Sequence, residues 1–203
     1  MKTKEMKQII VKPWVGKHYE QGFRGKRIMA LGDSHYVGRP EDYNENTTIG
    51  VIEWFLNPEE EREGWMNTYT KFERAVTGRE LGQEEKVAFW DSILFCNYIQ
   101  EPLPRPRQKA SPEQYLAARA PFLELLETYR PDAVIAWGNA LRDALRLHGR
   151  KGRTIDAGWE KIETLTYVLS DGQEVYILPI QHPASAFAWG NWHPVIDEFL
   201  RVC

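Results

Sequence analysis

The feature that most constrains the fold is an alternation of short apolar runs with longer stretches of helical periodicity. Three runs, at residues 26–31, 91–96 and Ala133–Trp137, have the length and composition of buried strands. Strands that alternate with helices are typical of a mainly parallel sheet that is covered by helices on both faces. The sequence therefore predicts an α/β fold.

Helix-start and turn signals divide the rest of the chain. Helices are predicted at residues 48–56, 67–76, 111–129, 139–148 and 195–202. Ser111 followed by Pro112 is a favourable start, because serine caps the first turn and proline suits the first helical position. From residue 159 the period changes to two, and a turn at 170–173 separates the strands 160–168 and 174–180. This pattern predicts a β-hairpin near the C-terminus.

Composition is that of an ordinary folded domain. The chain has 203 residues, of which 42% are apolar and 27% charged, and this excludes a disordered chain. We predict a single domain over residues 1–203, with residues 1–25 as an N-terminal extension packed on it. No apolar run approaches the ~18 residues of a membrane span. The N-terminus also lacks the pattern of a secretory signal.

Cysteine content and net charge exclude further classes of protein, namely disulfide-rich proteins, four-cysteine metal proteins and proteins that are basic overall. Cys96 and Cys203 are too few for a disulfide framework or a four-cysteine metal site, so neither a metal nor a cofactor is expected. The net charge of −3 excludes a global basic field, so nucleic acid would have to bind at a local patch. We expect a soluble, cytoplasmic monomer that makes no membrane contact.

Polar residues follow the predicted strands where those strands end. They lie at residues 32–36, 97–98, 138–139 and 182–185. In open α/β sheets, ligands bind beyond the carboxyl ends of the strands. We therefore expect these four segments to form one site.

Three of these segments resemble the uracil-DNA glycosylase superfamily. Gly-Asp-Ser-His-Tyr at 32–36 is placed like the family's first active-site loop. The stretch from Asn97 to Gly138 is similar in order and spacing to the thermophile-type branch. His-Pro-Ala-Ser at 182–185 is similar to the family's His-Pro-Ser loop. Together the segments cover residues 26–187, which is most of the chain.

The resemblance implies a three-layer α/β/α fold with a four-stranded, mainly parallel sheet. It also implies a DNA glycosylase, an N-glycosyl hydrolase of base-excision repair that acts on a damaged or deaminated base flipped out of DNA. DNA is then the partner. Because the bond breaks with positive charge on the sugar and negative charge on the base, the site needs a donor at the base and an anion at the sugar.

The resemblance assigns roles to individual residues. His182 would donate to the departing base, and Asn97 would read its edge, because an amide supplies both a donor and an acceptor. Tyr36 aligns with the tyrosine by which the family excludes thymine. His35, beside it, aligns with a proline of the best-studied branch. The loop that wedges into DNA would correspond to residues 184–187, with Ser185, Ala186 and Phe187 as the DNA-contacting residues.

The first loop departs from the family pattern. Ser34 stands where the best-studied branch has its catalytic aspartate. Asp33 is then the surviving carboxylate, as the shortened counterpart of a glutamate in the thermophile-type branch. That branch carries an iron–sulfur cluster on four cysteines, and this chain has only two.

Two other functions fit the same segments. Gly32-Asp33-Ser34 also resembles the start of Gly-Asp-Ser esterases, with Ser34 as nucleophile, Asn139 in the oxyanion hole and His182 as base. The match fails at Pro179, where those esterases carry an aspartate. The other alternative is a protein that binds nucleic acid or nucleotides and has lost its catalytic activity.

Basic residues also suggest a phosphate-binding surface. Arg142, Arg146 and Arg150 recur every four residues, so a helix would place them on one face. This face could contact DNA phosphates or simply be solvated. Capping and turn roles likewise remain open for Asp33, Ser34 and Asn97.

Overall fold

The computed structural model describes residues 9–105, 108–184 and 186–203. Its strands are β1 (Trp14–Val15), β2 (Ile28–Gly32), β3 (Ile93–Asn97), β4 (Ala133–Trp137), β5 (Arg150–Asp156), β6 (Lys161–Val168) and β7 (Glu174–Ile180). Its α-helices are α1 (Thr47–Leu56), α2 (Met66–Thr77), α3 (Gln83–Asp91), α4 (Pro112–Tyr129), α5 (Asn139–Arg146) and α6 (Trp189–Val202). A 3₁₀ turn at Pro40–Asp42 precedes α1.

The strands form one mixed sheet in the order β1-β3-β2-β4-β7-β6-β5. The prediction of a four-stranded, mainly parallel sheet is therefore wrong. The pairs β2–β3, β2–β4 and β4–β7 are parallel, but antiparallel strands extend the sheet on both sides. The predicted hairpin is β6–β7, and it lies inside this sheet because β5 pairs with β6 on its other side.

Apolar side chains cover both faces of the sheet, because the two central strands β2 and β4 have no polar side chain. On β2, Ile28 and Ala30 face the cluster built from α1, α2, α3 and α6, while Met29 and Leu31 face the cluster built from α4 and α5. Successive side chains of a strand point to opposite faces, so a strand buried on both faces needs this continuous apolar run. The sheet thus lies between two helical layers.

Local signals explain the longest helix. Ser111 Oγ accepts from the Gln114 backbone N–H at 3.3 Å, and Gln114 Oε1 accepts from the Ser111 N–H at 2.9 Å. This reciprocal pair is a capping box, which satisfies two amides at the start of α4. Arg130 ends the helix in the left-handed conformation, with φ of 48°.

The expected arginine face does not form, because α5 ends at Arg146 and Arg150 opens β5. Gly149 makes this change of direction possible. A Cβ atom at Gly149 would lie 2.7 Å from the Tyr167 ring, so only glycine fits between the end of α5 and β6. Arg142 and Arg146 remain on the helix.

The described part of the N-terminal segment packs against the domain. β1 pairs with β3, and Trp14 Nε1 donates to the Trp90 carbonyl at 2.9 Å. The Ile10 and Val11 amides donate to Gln100 Oε1. Among the described residues, no helix is both long and apolar enough to cross a membrane.

Candidate functional site

The four parallel strands bring their carboxyl ends to one edge of the sheet. In the order β3-β2-β4-β7, the chain leaves β2 toward the α1–α3 layer and leaves β4 toward the α4–α5 layer. In such sheets ligands usually bind in the crevice between two adjacent strands whose following connections depart to opposite faces. The segments after β2 and β4 lie on either side of that position, and those after β3 and β7 lie next to them.

Backbone hydrogen bonds join the segments after β2 and β3. The Tyr98 and Ile99 amides donate to the carbonyls of Gly32 and Asp33, both at 2.9 Å. Further along, the Leu103 amide donates to the His35 carbonyl at 2.8 Å. The two loops therefore continue the parallel pairing beyond the sheet and hold Asp33 and Asn97 in fixed relative positions.

Asn97 ends β3 with its side chain lying against Gly32. A Cβ atom at Gly32 would fall 2.1 Å from Asn97 Oδ1, so the amide occupies the space that any other residue would fill. Asn97 is 7% exposed, and within the described chain no hydrogen bond occupies its amide. Its donor and acceptor thus stay available to a ligand.

Asp33 is half-buried and points toward α4, where Tyr115 Oη donates to its Oδ1 at 2.7 Å. Burial raises the pKa of this carboxyl above its usual value, and the Tyr115 hydrogen bond partly counters that rise. The next helix begins only at Thr47, so Asp33 does not cap a helix. Sequence reasoning missed Tyr115, because 82 residues separate it from Asp33.

The next three residues of this loop have different surroundings. Ser34 Oγ is buried, and no described residue forms a hydrogen bond with it. His35 is 7% exposed, and its Nε2 lies 2.7 Å from Thr48 Oγ1, so it ties the loop to α1. Burial lowers the pKa of His35 to about 4, which keeps the ring neutral. Tyr36 is 43% exposed.

His182 follows β7 and is held in one tautomer. Its Nδ1 accepts the Ala184 backbone N–H at 3.1 Å, and burial lowers its pKa, so the neutral ring carries its proton on Nε2. The ring packs edge-on to Trp137, with 6.1 Å between centroids. It also borders Gly138, whose φ of 103° favours glycine. His182 therefore presents a fixed Nε2–H donor.

Spacing across the sheet relates His182 to Asn97. Three strand intervals of about 4.8 Å separate β3 from β7, so the two strand ends lie about 14 Å apart. The Asn97 side chain lies against Gly32 and His182 borders Gly138, so both side chains lie toward the strands between them.

The loop after His182 does not expose an aromatic side chain for insertion into DNA, because Phe187 is buried. Ser185 lies outside the described residues. Ala186 is exposed, and its carbonyl accepts from Gln181 Nε2 at 3.4 Å. Phe187 is 5% exposed and stacks on Trp192 with 5.8 Å between ring centroids. Phe187 would have to leave this core position to enter DNA.

The residues of α5 border a second opening at the same edge. Arg142 is half-buried and donates through Nε to Asp143 at 3.0 Å, while Arg146 is exposed. Both line a cleft of about 340 Å³, together with Asn139.

The esterase arrangement lacks its essential contact. His182 Nδ1 already accepts the Ala184 amide, and Ser34 Oγ has no hydrogen-bond partner among the described residues, so nothing activates that hydroxyl. Across residues 9–105, 108–184 and 186–203, no group of three or more acidic, histidine or cysteine side chains could hold a metal ion.

No protein-family model matches the sequence, and no curated protein is significantly similar to it.

Proposed function

We propose that this chain is a uracil-DNA glycosylase-like enzyme that hydrolyses the N-glycosidic bond of a damaged or deaminated base flipped out of DNA. The observation that carries the proposal is the fixed neutral tautomer of His182. His182 lies at the carboxyl edge of the sheet, where the Asn97 amide has no hydrogen-bond partner among the described residues.

The chemistry of base release uses such a donor. As the bond lengthens, its electron pair moves onto the base and the sugar becomes positively charged. A neutral N–H donor stabilises the forming anion without having to transfer its proton first. Water then adds hydroxide to the sugar, and the base gains the remaining proton.

Asp33 and Asn97 complete the arrangement. The Asp33 carboxylate supplies the negative charge that stabilises the cationic sugar and orients water. Asn97 matches the donor–acceptor edge of a pyrimidine or deaminated purine, and so favours one base over another. Ser34 stands at the position of the aspartate in the best-studied branch. We therefore expect slow turnover, or a substrate base that leaves more readily than uracil.

The test is release of a base from oligonucleotides that contain uracil, hypoxanthine or xanthine, in single- and double-stranded form. His182→Ala should lower the rate on the active substrate by about 10²–10³, the cost of one preorganised donor. Asn97→Ala should weaken discrimination between bases more than the rate. His18→Ala is the matched control, because His18 is an exposed histidine remote from the carboxyl edge.

Full activity of His182→Ala would contradict the mechanism. Binding of these oligonucleotides without release of any base would favour a protein that has lost its chemistry. Acyl esters serve as a further control, and their hydrolysis, if lost in Ser34→Ala, would replace this proposal with the esterase alternative.

A further inference from the structure

The cleft beside α5 contains residues that the proposed mechanism does not use. It has a volume of about 340 Å³ and lies between α5 and the strands β6 and β7. Besides Asn139, Arg142 and Arg146, its walls include Trp159, Lys161 and Gln181. Its size is that of a small-ligand pocket, at the lower end of the usual range.

Cations without protein partners face this cleft. Arg146 and Lys161 are exposed, and neither forms an ion pair within the described chain. Of the two carboxylates in the lining, Glu163 is paired with Lys151, which leaves Glu160 as the opposing charge. The free charges of the cleft therefore favour an anion.

The wall of the cleft also contains an exposed aromatic ring, that of Trp159. Trp159 is 51% exposed, and its ring packs edge-on against Trp192 with 5.8 Å between centroids. Trp192 in turn stacks on Phe187. This support holds the Trp159 ring in place while leaving much of its surface open to solvent.

The cleft adjoins the proposed reaction site. Asn139 directly follows Gly138, and Gln181 directly precedes His182, so consecutive residues of each segment contribute to the cleft and to the reaction site. A strand whose target base lies at His182 would bring its next nucleotide to the cleft. This continuity rests on the proposed function.

From these observations we propose that the cleft binds the nucleotide that flanks the target in single-stranded DNA. Its base stacks on Trp159 and its phosphate contacts Arg146 and Lys161. A paired base cannot expose its face to Trp159, so the cleft selects single strands over duplex. Stacking on aromatic side chains together with a basic groove is the usual means of binding single strands.

Fluorescence anisotropy with a labelled, undamaged deoxyoligonucleotide tests this subsite without requiring catalysis. Trp159→Leu should weaken single-strand binding by about tenfold or more and leave its salt dependence unchanged. Arg146→Ala should weaken binding and reduce the slope of log affinity against log salt by about 0.7, because one phosphate contact is lost. Glu160→Gln should strengthen binding.

Matched controls come from the same chain. Trp54 is 42% exposed and packs edge-on against Trp65 at 5.4 Å, so Trp54→Leu reproduces the change away from the cleft. Arg119 is an exposed arginine on α4 outside the cleft. Arg119→Ala should bind as the wild type does.

Each outcome separates this inference from the proposed function. Suppose that the wild type releases a base, while Trp159→Leu and Arg146→Ala bind single strands as the wild type does. This result would overturn the subsite and leave the glycosylase proposal unaffected. Single-strand binding that both variants weaken, without release of any base, would support the subsite and reject the glycosylase. Equal affinity for duplex and single strand would also overturn the subsite.

Discussion

At the residue scale, His35 couples folding to pH. The free histidine side chain titrates near pH 6.5, whereas burial lowers the pKa of His35 to about 4. Between these values the unfolded chain binds a proton that the folded chain does not. Stability therefore falls as pH decreases through this window, by about 3 kcal/mol at ~1.4 kcal/mol per pH unit.

His35→Gln should remove this dependence, because glutamine does not titrate and can still bond to Thr48. Urea denaturation of both proteins at several values between pH 4 and pH 7 measures the difference. Asp33 and Glu73, whose buried carboxyls have raised pKa values, act in the opposite direction. They are present in both proteins, so their effect cancels. Parallel stability profiles would contradict the assignment to His35.

At the element scale, α4 sets the ionisation of the loop after β2. The Tyr115 hydroxyl stabilises the charged form of Asp33 and lowers a pKa that burial has raised. Tyr115→Phe should therefore raise the pKa of Asp33 further. We expect the acid limb of the rate–pH profile to move to higher pH while the rate at alkaline pH changes little. A carboxyl NMR titration checks the same shift without any substrate, and an unchanged Asp33 pKa would contradict this role.

The elements also show what the sequence can predict. The α4 start at Ser111 and β4 follow from local signals, because their caps and apolar runs are encoded nearby. β5 was missed since five of its seven residues are exposed and no apolar alternation marks it. α3 was missed because its N-cap, Gly82, has no side chain.

For the candidate site, the positions of the segments were predictable from the sequence, but the contacts of their side chains were not. Sequence order located the polar segments at strand ends, which the parallel pairing brings to one edge. It could not reveal the His182 tautomer, the Tyr115 partner of Asp33 or the buried position of Phe187. Each of these depends on a contact made by packing rather than on local periodicity.

At the scale of the whole molecule, stability should decrease from the centre of the sheet toward its edges. β4 is buried at every position and pairs on both sides, whereas β5 pairs only with β6 and is mostly exposed. Amide hydrogen exchange should therefore show β4 opening only with global unfolding. We expect β5 to open at a free energy lower by about 2 kcal/mol or more. Equal protection of the two strands would contradict this order.

The pairing between the loops after β2 and β3 also limits how this protein can diversify. Their backbones are paired at Gly32 with Tyr98, at Asp33 with Ile99 and at His35 with Leu103, so an insertion beside one of these pairs would disturb the others. In a lineage of such proteins, these loops should change by substitution more readily than by length. The segment after β7 has no such matched partner among the described residues. New substrate preferences should therefore arise there first.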